Sequence, residues 1–104
     1  MDSDFAAVML YNIAVKTYQY VIKGNVQGVA FRYYTLEYAQ NLRIKGTVKN
    51  LFNGDVEVYA QGDPEDIKRF EAFLQAGPPS AVVERVIKEE SDIHQVFPGF
   101  EIIF

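Results

Sequence analysis

Apolar and polar residues alternate from Thr17 to Gly24, where Tyr18, Tyr20 and Ile22 are separated by Gln19 and, after Val21, followed by Lys23. A period of two predicts a strand with one apolar face. From Ala30 to Leu42 the period changes. Phe31, Tyr34, Tyr38 and Leu42 recur at spacings of three, four and four, with Ala39 beside them, which predicts a helix with one apolar stripe. Tyr33 and Tyr34 are consecutive and cannot share a face, so one is expected in the core and the other at the surface. Alternation returns in Thr47-Val48-Lys49-Asn50-Leu51-Phe52 and in Asp55-Val56-Glu57-Val58-Tyr59-Ala60-Gln61, joined by Asn53-Gly54. Asn-Gly between such runs predicts a hairpin on a type I′ turn, because both residues tolerate positive φ.

Asp63-Pro64-Glu65-Asp66 reads as a second helix start: Asp63 as cap, Pro64 in the first position, and acids near the positive end of the dipole. Ile67, Phe70, Phe73 and Leu74 supply its apolar face, and Gly77-Pro78-Pro79 ends it. Ala81 to Glu90 reads as a fourth strand and Phe100 to Phe104 as a short terminal one. There is no internal repeat and no linker. The order β-α-β-β-α-β plus a terminal strand predicts the α+β class. The expected architecture is a ferredoxin-like sandwich, an antiparallel sheet with two helices on one face and the first and third strands central. In that topology the first and second strands run parallel on either side of the third. The loop after Gly24 and the residue Asn50 therefore come close together.

Length and composition narrow the function. One domain fits in 104 residues, and the absence of cysteine excludes a disulfide scaffold, thiolate catalysis and cysteine-bound metal. The net charge of −4 hides a split: residues 1–15 carry −2, residues 16–50 carry +5 and residues 51–104 carry −7. A local positive field in an acidic protein suits a small phosphate or carboxylate rather than nucleic acid. The apolar run Phe5 to Leu10 follows Asp2 and Asp4 without a basic n-region, unlike a signal peptide. It is also far short of the roughly 20 residues that cross a bilayer. Residues 1–16 are expected to be an N-terminal extension, frayed or partly docked, to a domain spanning 17–104.

The candidate chemistry lies in Gly24-Asn25-Val26-Gln27-Gly28-Val29-Ala30-Phe31-Arg32. Glycines in a turn that leads into a helix can aim consecutive N–H groups inward, where the unpaired amides of the helix N-terminus also point. Arg32 breaks a local rule, since a cation in the first helical turn opposes the dipole at about 0.3–1 kcal/mol. A guanidinium there can grip two phosphate oxygens while the loop amides hold others. Asn50, at the end of its strand, can both donate to and accept from a water molecule. His94 is the lone histidine, expected at the surface, and no Walker lysine, paired-carboxylate motif or HExxH is present. An anion cradle without an acid or base suits phosphoryl transfer to water from a good leaving group. A carboxylate leaves unprotonated because its conjugate acid has a pKa of about 4. The residues alone leave two other readings open. One is a module that binds phosphate without turnover. The other is an RNA-binding sheet using Tyr18 and Tyr20, although Asp55 to Gln61 offers two acids and only Tyr59 for stacking.

The stretch Gly24 to Arg32, followed by Gly46-Thr47-Val48-Lys49-Asn50-Leu51-Phe52-Asn53-Gly54-Asp55-Val56, resembles the acylphosphatase family over residues 17–104, as does Gly77-Pro78-Pro79-Ser80-Ala81. The resemblance implies that Arg32 binds phosphate with the backbone amides of Val26, Gln27, Gly28, Val29, Ala30 and Phe31, and that Asn50 orients the attacking water. It implies hydrolysis of acyl phosphates to a carboxylate and inorganic phosphate, with no metal and no cofactor. The water proton would pass to a phosphate oxygen of the substrate. A cytoplasmic monomer without nucleic-acid or membrane partners is the corresponding expectation. Two positions depart from the family pattern. Arg43 stands at the helix exit where glycine is common, which predicts strain, and Thr47 stands where an aromatic is frequent.

Overall fold

A computed structural model describes residues 16–104; the expected extension up to Val15 lies outside them. The elements are β1 (Thr17–Asn25), α1 (Phe31–Asn41), β2 (Lys45–Asn50), β3 (Val56–Gln61), α2 (Pro64–Ala76), β4 (Val82–Ser91) and β5 (Phe100–Ile103). The strands form one sheet in the order β4-β1-β3-β2-β5. Every neighbouring pair is antiparallel except β2 and β5, which are parallel, so the expected antiparallel sheet is in fact mixed. Direction explains it. The chain leaves β4 and starts β5 at the same end of the sheet, so β5 runs opposite to β4. It therefore runs along β2, which shares its direction with β1.

That crossing, residues 92–99, is pinned by a buried amide. Gln61 Nε2 donates to Thr17 Oγ1 and to Gln95 O, each at 2.8 Å, and its Oε1 accepts from Phe97 N at 2.9 Å. Thr17 Oγ1 in turn donates to Ile93 O at 2.8 Å. Gln61 is fully buried, and each polar atom of its side chain is satisfied.

Both helices cover one face of the sheet and meet through Phe73, whose ring lies 4.2 Å from Tyr38 and 6.1 Å from Phe31. Tyr20, Ile22, Val48, Val56, Val58 and Ala60 point into this layer and are buried. The Tyr20 hydroxyl reaches across to donate to Glu71 of α2, which also pairs with Lys88 at 2.6 Å. Tyr18 packs against the same core, with the Lys88 ammonium 4.3 Å from its ring. Both strand tyrosines thus face the helices, and Tyr59 is the aromatic that β1, β2 and β3 present on the opposite face.

Four local expectations are corrected. In α1 the buried residues are Phe31, Thr35 and Ala39, while Tyr34 and Tyr38 are exposed. Small side chains at i+4 and i+8 let the helix lie close to the sheet, and the Thr35 hydroxyl is absorbed by Phe31 O at 2.8 Å. Tyr33 and Tyr34 are both exposed, at 64% and 38%, so neither is core. In the hairpin only Gly54 has positive φ (97°). Leu51 N donates to Asp55 O at 2.8 Å and Gly54 N to Leu51 O at 3.2 Å, a three-residue loop with a bulge at glycine in place of a type I′ turn. Asn53 stays at negative φ because its side chain folds onto Asp55, accepting from the backbone N–H at 3.0 Å. Asp63 stands at the α2 N-cap position but makes no side-chain hydrogen bond. The buried face of α2 is the expected one, and Gly77 ends it at φ 70°.

Candidate active site

The stretches of β1 and β2 that pair with β3 end in step: Ile22 and Asn50 both lie opposite Val56. The loop leaving β1 begins at a bulge between Lys23 and Gly24. Gly24 has φ 135°, and a Cβ there would stand 2.1 Å from Val82 O, so only glycine lets β1 and β4 approach this closely. Farther on, Gly28 (φ 76°) and Ala30 (φ 61°) are left-handed on either side of Val29, which is not. Alternation of this kind turns successive N–H groups toward one concavity.

Ala30 is also the N-cap of α1, with no side-chain cap, and no acidic residue occupies the first turn. The amides of the first turn are therefore left for something else. Arg32 is half-buried in that turn and makes no ion pair among the described residues. Its guanidinium carbon lies 4.9 Å from the centre of the Phe104 ring. Facing it at the end of β2, Asn50 Oδ1 is buried without a hydrogen-bond partner among the described residues. An unsatisfied buried acceptor costs about 1–3 kcal/mol, so this oxygen is free to accept a hydrogen bond from a water or a ligand.

These parts share one cavity of about 160 Å³, lined by Val26, Gly28, Ala30, Phe31, Arg32, Tyr33, Asn50, Ile102 and Phe104. Arg32, Asn50 and four of the six expected cradle residues are brought together. Gln27 and Val29 are not among the lining residues. Gln27 turns its side chain toward the hairpin, and Val29 packs against the core while its carbonyl accepts from Ser80 Oγ at 3.2 Å. Tyr33, Ile102 and Phe104 were not foreseen. The last two arrive because β5 runs beside β2, with Ile102 opposite Val48. Of the basic residues in 16–50, Lys23 is taken by Asp55 at 2.7 Å, and Arg32 is the cation that lines the cavity. Among the described residues no carboxylate or imidazole side chain lines it, and His94 is exposed elsewhere. The described residues contain no group of three or more His, Asp or Glu side chains placed to hold a metal ion.

The family model described as Acylphosphatase matches residues 18–102. The chain belongs to the acylphosphatase family. It is 47% identical over 89 residues to an acylphosphatase of Vibrio parahaemolyticus, covering 86% of this chain and 98% of that one. The fold superposes on the crystal structure of acylphosphatase from Bacillus subtilis with a TM-score of 0.81 at 30% identity, covering 86% and 99% of the two chains. It also superposes on the HypF protein of T. kodakarensis, with a TM-score of 0.77 at 31% identity. There the match spans 86% of this chain but 12% of the larger one, so the acylphosphatase fold also stands within longer proteins. In this chain Arg43 stands at φ 61°, the strained conformation expected at the helix exit.

Proposed function

We propose that this chain hydrolyses the carboxyl–phosphate anhydride of acyl phosphates, with residues 17–104 as the unit that carries the chemistry. Family membership supports the coarse part, an enzyme acting on acyl phosphates. The finer assignment rests on one observation: uncapped helix amides, a guanidinium and a buried amide oxygen, the last two without partners among the described residues, all border one small cavity.

In this reading the phosphoryl group sits in the concavity of the Val26–Phe31 loop, with Arg32 bridging two of its oxygens. Fixed dipoles and a guanidinium stabilise the charge of the transferring group without reorganising during the reaction. Asn50 Oδ1 accepts a hydrogen bond from water and turns the water's lone pair toward phosphorus. The new P–O bond forms as the bond to the acyl oxygen breaks. The acyl group leaves as a carboxylate, and the water proton passes to a phosphate oxygen, giving dihydrogen phosphate. Charge balances, since a dianionic substrate and water yield two monoanions. Among the described residues the cavity lining holds no side-chain carboxylate or histidine to take that proton, and a carboxylate leaving group needs none.

The test is phosphate release from benzoyl phosphate by wild type, Arg32→Gln and Asn50→Ala, in the presence of a chelator and with p-nitrophenyl phosphate as a control. Turnover of the anhydride alone is expected, reduced about 10²–10³-fold in each variant while both stay folded. A second reading, a phosphate-binding module, takes over if folded wild type binds phosphate and releases none from the anhydride.

A further inference from the structure

Two segments that never pair with each other have to hold a fixed spacing if water is to meet phosphorus. Backbone pairing through β3 sets the relation between β1 and β2 only as far as Ile22 and Asn50, both opposite Val56. The cradle, residues 26–31, lies beyond that limit on one side and the hairpin loop beyond it on the other. Among the described residues, one side chain joins them by hydrogen bonds. Gln27 Nε2 donates to Leu51 O at 2.7 Å and to Asp55 O at 2.8 Å, using both of its amide hydrogens.

Its two acceptors are the residues that close the hairpin, since Leu51 N donates to the same Asp55 O. Leu51 directly follows Asn50. Asp55 is held from the other direction too, because its carboxylate accepts from Lys23 of β1 at 2.7 Å and from Asn53 at 3.1 Å. The hairpin shoulder is thus rigid, and Gln27 is what ties the cradle to it. An amide is the group that fits: a carboxylate has no hydrogen to offer two carbonyls, and a thioether of similar length offers none either.

We propose that Gln27 is a positioning residue whose side-chain amide sets the spacing between the phosphate cradle and Asn50. The inference rests on the acyl-phosphate reading above. Cutting the tie leaves Arg32 and the loop amides in place, so phosphate still binds. What changes is the line of approach of the water, and a shift of about 1 Å costs of order 10²-fold in rate.

The experiment measures kcat and KM on benzoyl phosphate, inhibition by inorganic phosphate and thermal stability for wild type, Gln27→Met and Gln27→Glu. For Gln27→Met, kcat is expected to fall about 10–100-fold while the phosphate inhibition constant moves less than about threefold. A residue that merely stabilises the fold would lower Tm and leave kcat untouched, and that result overturns the proposal. So does a parallel fall in kcat and phosphate affinity, which would assign Gln27 to holding the cradle itself. Gln27→Glu keeps the bulk and adds a pH readout. Protonation restores one donor, so its kcat relative to wild type should rise as pH falls toward about 5, and a flat ratio argues against the tie. An inactive wild type overturns the underlying reading as well. An active wild type with unaltered variants overturns the role of Gln27 alone.

Discussion

Replacing Arg43 by glycine should stabilise this protein, and by an amount that the geometry allows to be worked out. Helix α1 ends with Arg43 N donating to Gln40 O at 3.3 Å and Ile44 N to Ala39 O at 2.8 Å, the paired bonds of a Schellman motif. The motif requires a left-handed residue between them, and Arg43 occupies that position at φ 61°. An L-residue there costs about 1–2 kcal/mol, and glycine avoids the cost while giving up about 0.5–1 kcal/mol of chain entropy. The side chain is exposed and makes no ion pair among the described residues, but a cation at a helix C-terminus contributes about 0.3 kcal/mol. Comparing Arg43→Gly with Arg43→Ala cancels that charge effect. The glycine variant should be the more stable by about 0.5–1 kcal/mol. At about 4–8 °C per kcal/mol for a domain of this size, the two melting curves should separate by about 2–8 °C. Turnover should match wild type in both, because Arg43 does not line the cavity. Glycine no more stable than alanine would refute the assignment of strain at this position.

The same reasoning extends to other positions. Tyr20→Phe deletes a hydrogen bond to a carboxylate, so urea unfolding at pH 7 should show a loss of about 1.5–3 kcal/mol. Burial and then Glu71 push the Tyr20 phenol far above its ordinary range, so above about pH 10 the unfolded chain ionises while the folded one does not. Wild-type stability should therefore fall with rising pH there, and more steeply than that of Tyr20→Phe; equal slopes would contradict the assignment. Gly24→Ala and Gly28→Ala separate crowding from strain. The first drives a Cβ to 2.1 Å from Val82 O and should cost about 3 kcal/mol, whereas the second meets nothing within 4 Å and should cost about 1–2 kcal/mol. Equal losses in urea unfolding would show that contact with β4 is not what demands glycine at position 24.

Most of the frame was legible because it is local. Period-two runs, the Asn-Gly hairpin and the Asp-Pro helix start each depend on neighbours within a few residues, and topology then placed Asn50 beside the loop after Gly24. The candidate cradle was singled out for a different reason: Arg32 and the glycines contradict the preferences of a helix start, and such contradictions gather at sites. What could not be read was non-local. Nothing in Phe100 to Phe104 says that it pairs with β2, so Ile102 and Phe104 were absent from the expected lining. The buried stripe of α1 was misread because hydrophobicity ranks Tyr34 and Tyr38 above Thr35, while close approach to a sheet favours the smaller side chain. The bend of Gln27 toward Leu51 and Asp55 depends on a partner 24 residues away.

The cavity is assembled from strands that flank β3 without touching one another, and this sets the order of events when the chain folds. β1 pairs with β3 and β4, both distant in sequence, as Tyr20 opposite Val58 and Lys88 illustrates. Such long-range pairings close large loops before they gain contact energy, which makes them slow to form. The α1 helix and the β2–β3 hairpin can appear early from local contacts, yet neither contains both Arg32 and Asn50. Only when β1 docks along β3 do the guanidinium and the amide come to one place. In a refolding experiment, recovered turnover should therefore lag the helical signal and rise with the last step of sheet assembly, making the enzyme its own reporter of complete folding.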